Sequence, residues 1–154
     1  MEMDIILDTA EGEWFDYFES HVDQGTNDII YQDPIPNGPR VQIRNSAPFI
    51  EEALKKREQV VDRVFNPKTR AMDRIVHLKD ISIAEMIAQN DDEYDYAITG
   101  IEGFKNKKTG EIVACTQGNK AALRRNEMFS RFYDRCQKIL RGEKADQAKA
   151  AEKN

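Results

Sequence analysis

Arg40-Val41-Gln42-Ile43-Arg44-Asn45-Ser46-Ala47-Pro48 changes its periodicity partway along. Residues 40–44 alternate charged, apolar, polar, apolar and charged. That is a half-buried strand with Val41 and Ile43 facing inward and both arginines outward. Ser46 then reads as an N-cap, Pro48 suits a first helical turn, and Glu51 and Glu52 sit at the positive end of the helix dipole. Phe49, Ile50, Ala53, Leu54, Val60, Val61 and Val64 continue an i, i+3/i+4 rhythm broken only by Arg57. The spacing predicts one long helix over 49–64, ended by Asn66-Pro67. A strand handing over to a helix in this way predicts an α+β fold.

Upstream of that junction, Glu13-Trp14-Phe15-Asp16-Tyr17-Phe18-Glu19 is too dense in aromatics for an ordinary helix and reads as a strand. Ile29-Ile30-Tyr31 reads as another. The loop Asp33-Pro34-Ile35-Pro36-Asn37-Gly38-Pro39 loses backbone donors at its prolines and carries a turn dipeptide. These strands predict one small N-terminal antiparallel sheet. Residues 1–12 read as a flexible acidic arm with a short strand at 5–7.

Downstream, residues 70–77 fit helix and strand equally. Asp80 or Ser82 caps a helix from Ile83 to about Gln89, which Asn90-Asp91-Asp92 loosens. Residues 98–104 and 111–115 read as the two arms of a short β-hairpin, turned by Lys107-Lys108-Thr109-Gly110. Thr116 or Asn119 caps a short helix over 120–125. A longer helix places Met128, Phe129, Phe132, Cys136, Ile139 and Leu140 on one face and stops at Gly142. Residues 142–154 lack large hydrophobes and read as a frayed polar tail. The expected organisation is one α+β domain over 13–141, with a small N-terminal sheet, a helical remainder and a hairpin near 98–115.

Composition narrows the function class. The chain has 154 residues, enough for one modest core, and is 33% charged, so its surface is dense in charge. No apolar run approaches the ~20 residues of a membrane-spanning helix. The longest run, 81–87, is interrupted by Ser82 and Glu85, and the acidic start lacks a signal peptide. A cytoplasmic location is the expectation. The net charge of −5 conceals an asymmetry, because residues 1–33 carry ten acids and no Lys or Arg, leaving 34–154 with a net charge of +5. Such a split fits an acidic arm folded on a basic remainder, or two surfaces of opposite sign that suit head-to-tail self-association.

Sites for chemistry are hard to find. Cys115 and Cys136 form neither a zinc pattern nor a disulfide framework, and read as buried or half-buried thiols. Neither His21 nor His77 has a nucleophile nearby in a recognisable pattern, and no phosphate-binding glycine loop occurs. Residues 91–102 place oxygen donors where a calcium loop would, at Asp91, Glu93, Asp95, Thr99 and Glu102. The sixth position of that loop needs glycine and holds Tyr96, so the stretch reads as a solvated acidic loop. The expectation is no catalytic residue, no metal and no cofactor. A nucleic-acid surface is the alternative, built from Arg124, Arg125, Arg131 and Arg135 near Phe129, Phe132 and Tyr133. The acidic pI of about 5.2 and the helical phase of both phenylalanines favour a solvated helix face instead.

Ile98-Thr99-Gly100-Ile101-Glu102-Gly103-Phe104, Lys107-Lys108-Thr109-Gly110-Glu111-Ile112 and Cys115-Thr116-Gln117-Gly118-Asn119-Lys120-Ala121-Ala122-Leu123 together carry a resemblance. This pattern resembles small tail assembly chaperones of long-tailed bacteriophages and related phage tail proteins, although that pattern has tryptophan where Ile101 stands. The resemblance implies a non-enzymatic protein of the host cytoplasm that self-associates, binds the tape-measure protein and recruits tail-tube subunits. Trp14, Phe15, Tyr17 and Phe104 are the expected partner contacts, with Gly103 and Gly110 serving turns and Asn119 a cap. A connector or tail-completion subunit of the virion is the neighbouring alternative.

Overall fold

β4 (Arg40–Ile43) is the central strand of an antiparallel sheet in the computed structural model, which describes residues 11–142. The expected strand at 5–7 and the polar tail beyond Gly142 lie outside the described residues. β1 (Glu13–Asp16) pairs with one edge of β4 and β7 (Ile98–Glu102) with the other. The alternation read from the sequence holds: Val41 and Ile43 are fully buried, and Gln42 points to the opposite face. On that outer face Trp14, Gln42 and Gly100 form one cross-strand row. A Cβ at Gly100 would stand 2.7 Å from the Trp14 indole, so the absent side chain makes room for the ring.

The sheet's inner face is covered by α4 (Glu127–Leu140), which buries Phe129, Phe132, Tyr133 and Cys136. Asn126 caps it by accepting from Phe129 N–H at 3.1 Å. α2 (Ile83–Ala97) adds Tyr94 and Ala97 to the same core. Gln137 fixes α4 to the end of β4: its Oε1 accepts from the Ser46 N–H at 3.0 Å, and its Nε2 donates to the Arg44 carbonyl at 2.9 Å. Glu11 is also tied to the sheet, its carbonyl accepting from the Thr99 hydroxyl.

The fold is α+β, and several boundaries differ from the sequence reading. β3 (Ile29–Tyr31) does not join the main sheet; it pairs with β2 (Ser20–Val22) in a separate hairpin. β7 pairs with β4 and not with 111–115, where Lys105 and Ile112 form only an isolated bridge. Ile112 is too exposed, at 80%, to reward a longer ladder.

Ser82 caps α2, accepting from Glu85 N–H at 3.1 Å, but the helix runs through Asn90-Asp91-Asp92 to Ala97. The presumed acidic loop is therefore helix and strand. Arg124 donates to Asp91 at 2.6 Å and Tyr133 to Glu93 at 2.7 Å, and these contacts outweigh weak helix propensity. α3 (Gln117–Arg124) is capped by Thr116.

The largest departure concerns residues 49–64. α1 (Ala47–Lys56) stops at Arg57, whose backbone is extended. β5 (Gln59–Asn66) and β6 (Ala71–Leu78) follow as a two-stranded antiparallel ladder that joins no other sheet among the described residues. Val60, Val61 and Val64 suit helical phase and strand alike, and their branched side chains favour the strand once 71–78 supplies a partner. Asn66-Pro67 thus opens a hairpin turn that runs to Arg70, and the ambiguous stretch beyond it is strand, Ala71–Leu78.

Candidate interaction surface

The β5–β6 hairpin lies between α1 and α2 in the chain, as an arm of two eight-residue strands. Its tip is made locally. Asn66 Oδ1 accepts the Lys68 N–H at 3.0 Å, the Arg70 N–H donates to the Asn66 carbonyl at 2.8 Å, and Arg70 takes the left-handed conformation at φ 55°. Its base is clamped where Arg57 Nε donates to the Lys79 carbonyl at 2.6 Å and the Lys79 N–H to the Glu58 carbonyl at 2.8 Å.

Register assigns the side chains to two faces. One face carries the pairs Val61–Val76, Arg63–Arg74 and Phe65–Met72. Two guanidinium groups therefore stand directly opposite one another, and neither has an ion-pair partner among the described residues. The other face carries Val64 and Ile75 flanked diagonally by Asp62 and Asp73. His77 Nε2 lies 3.5 Å from Asp62, and Asn66 Nδ2 donates to Asp73 at 3.0 Å.

Both faces are open to solvent. Phe65 is 56% exposed and Met72 58%, and Val61, Val64, Ile75 and Val76 are nearly as open. The openness continues onto the supporting helices, where Leu54, Met86 and Ile87 are exposed and Ile83 reaches 77%. A groove of about 210 Å³ lies between α1 and α2, with Phe49, Ile50 and Leu54 on one side and Gln89, Asn90 and Glu93 on the other. From residue 47 to residue 93 no side chain is fully buried. An isolated two-stranded hairpin is at best marginally stable in water, and so many exposed large apolar side chains in one segment would gain from a covering partner.

The residues singled out from sequence fall elsewhere. Trp14 is 40% exposed on the outer sheet face, with the Arg40 guanidinium 4.8 Å from its ring centre. Phe15, Tyr17 and Phe104 instead pack against the core. Tyr17 and Phe104 meet edge to face at 5.0 Å, and Tyr17 also meets Phe132 at 5.0 Å. Tyr17 and Phe104 thus share one aromatic cluster with Phe129 and Phe132, Phe15 packs against the core beside it, and Trp14 stands apart.

The four arginines of the nucleic-acid alternative make internal contacts. Arg124 and Arg125 both reach Asp91, at 2.6 and 3.3 Å. The hydrogen bond from Arg124 comes first in holding the Asp91 carboxyl below its ordinary range. Arg131 donates to the Ser20 hydroxyl at 2.7 Å, and Arg135 lies 5.2 Å from the Tyr31 ring centre. Lys120 is buried and reaches the Asp95 carboxylate at 3.2 Å.

Among the described residues no group of three or more His, Cys, Asp or Glu side chains could hold a metal, and no helix is long and apolar enough to cross a membrane. His21 and His77 lie on different hairpins. Cys136 is fully buried, and burial pushes its thiol pKa up, whereas Cys115 is exposed, contrary to the sequence reading. It follows Ala114 into the open segment before α3, where no strand pairing covers it.

The arm escaped the sequence reading, although a signal was there. Two stretches that mix apolar residues with a central Asp-Arg pair flank Asn66-Pro67-Lys68-Thr69-Arg70, and the first is rich in valine. No protein-family model matches this chain, and no curated protein or solved structure shows significant similarity to it.

Proposed function

We propose that this chain is a non-enzymatic assembly protein that binds other proteins through the surface formed by 47–93, as tail assembly chaperones do. The observation that carries the reading is the unbroken stretch from 47 to 93 without one fully buried side chain, in a chain whose remaining core is well packed. A folded protein gains by covering such surface, and an extended arm beside an open groove can cover a long apolar helix. The resemblance across 98–123 supports a tape-measure protein and tail-tube subunits as the partners, and the host cytoplasm as the location.

The test is suppression of aggregation of an apolar helical tape-measure fragment by the purified protein. Phe65→Glu/Met72→Glu should abolish suppression while leaving the circular dichroism of the protein unchanged. Equal suppression by the variant refutes the assignment of this surface.

The exposed arm also favours a second reading, a connector or tail-completion subunit that docks its arm permanently on neighbours. Stoichiometric presence of the chain in purified particles selects that reading, and absence selects the chaperone.

A further inference from the structure

The two faces of the β5–β6 arm differ in sign, and their charges interlock by register. Row 63–74 contributes two arginines to one face. On the opposite face the rows on either side, 62–75 and 64–73, contribute one aspartate each. If the basic face of one arm is laid on the acidic face of another, each arginine row lies between two rows that each offer a carboxylate. The count is two cations to two anions. The pairs Val61–Val76 and Phe65–Met72 then meet Val64 and Ile75 across an inter-sheet gap of about 10 Å.

We infer that the occupant of each arm face is the arm of a second copy of this chain, docked basic face on acidic face. The inference rests on the reading of 47–93 as a binding surface and adds the identity of one partner. Because the two faces are different, the contact is heterologous and each copy retains one unused face, so association continues beyond a dimer into a ring or stack. A face-to-face contact between identical basic faces is disfavoured, since it would bring four arginines together without a carboxylate. One face of a two-stranded arm is small beside the ~800 Å² per partner of a stable complex, so each step is weak and concentration-dependent. Salt screens it, because these charges are exposed.

The experiment is sedimentation velocity with light scattering on the full chain, from micromolar to near-millimolar protein at low and high salt. Wild type should form species larger than dimer at low salt and dissociate at high salt. Arg63→Asp/Arg74→Asp, with both faces acidic, and Asp62→Arg/Asp73→Arg, with both faces basic, should each lose association by roughly a hundredfold. An equimolar mixture of the two variants should recover it, because every acidic face then meets a basic one. Recovery also shows that both variants have kept a folded arm.

A wild type that stays monomeric at low salt overturns the inference, as do single variants that associate like wild type, or a mixture that fails to recover although both variants retain native circular dichroism. A monomeric wild type that still suppresses aggregation of the tape-measure fragment overturns the self-docking alone. Loss of both overturns the binding surface itself.

Discussion

Excising the arm should leave the rest of the protein folded, and the expected energy can be worked from the hairpin's geometry. Gln59 lies opposite Leu78, so the twenty residues of 59–78 can be replaced by Asn-Gly, joining Glu58 to Lys79 in a two-residue hairpin turn. The clamp between Arg57, Glu58 and Lys79 stays in place. No fully buried side chain is removed. Shortening the loop from twenty residues to two relieves about 2 kcal/mol of closure entropy. Loss of the weak contacts at the arm's base subtracts from that gain. The net expectation is unchanged stability or an increase of up to about 2 kcal/mol, a rise of several degrees in Tm.

Urea unfolding followed by fluorescence of Trp14, the one tryptophan, gives the measurement directly. Unlike wild type, the excised protein should also stay monomeric at every concentration. A loss of more than about 2 kcal/mol, well beyond ordinary surface changes, would refute the separation of arm from core.

Four further outcomes follow from contacts in the core. Gln137→Ala leaves the buried Ser46 N–H and the Arg44 carbonyl without their partner and should cost about 2–5 kcal/mol in urea unfolding; a loss below 1 kcal/mol, on the order of one ordinary hydrogen bond, contradicts the latch. Tyr133→Phe removes a hydrogen bond to Glu93 and should destabilise by about 1–3 kcal/mol, whereas Tyr94→Phe removes a buried hydroxyl that makes no well-formed hydrogen bond among the described residues and should cost less. The reverse order in thermal melts would show that the two hydroxyls had been misjudged. Native protein should react with one equivalent of a thiol reagent, at Cys115, with Cys136 labelled only after unfolding; mass spectrometry of the peptides decides.

The fourth outcome concerns pH. Asp91 has a folded-state pKa below its ordinary value, through the Arg124 hydrogen bond and the charges of Arg124 and Arg125. Its contribution is complete above the unfolded value and is lost as pH falls through the lower, folded one. Asp91→Asn should therefore lower stability at neutral pH and flatten the acid limb below about pH 4. Asp134 works in the opposite sense, since burial raises its pKa and its ionisation opposes folding. Parallel stability-pH curves for wild type and Asp91→Asn would remove Asp91 from the account.

Local pattern was enough wherever one face of an element is buried and the other wet. Val41 and Ile43 alternate cleanly because only one side of β4 meets the core. Phe129, Phe132 and Cys136 recur at helical spacing because α4 presents one stripe to the sheet. β5 has no such contrast. Each of its faces mixes valine with charge, so neither period dominates and Val60, Val61 and Val64 fell into helical phase by coincidence. The continuation of α2 through Asn90-Asp91-Asp92 was invisible for another reason, since Arg124 and Tyr133, which hold it, are more than thirty residues away. The aromatic residues expected at an interface were found mostly in the core, because aromatic density alone does not distinguish the two uses.

The closed base of the arm makes its length an adjustable dimension. Since Gln59 meets Leu78, adding two residues to each strand moves the tip outward by about 7 Å and alters nothing in the helices below. Every existing side chain keeps its face under that change, because a strand repeats every two residues. Adding one residue to each strand midway along the arm transposes every side chain beyond the insertion, so cation and anion change sides there. Descendants of this sequence can therefore lengthen the arm from within only in even steps if each face is to keep its charge along its whole length.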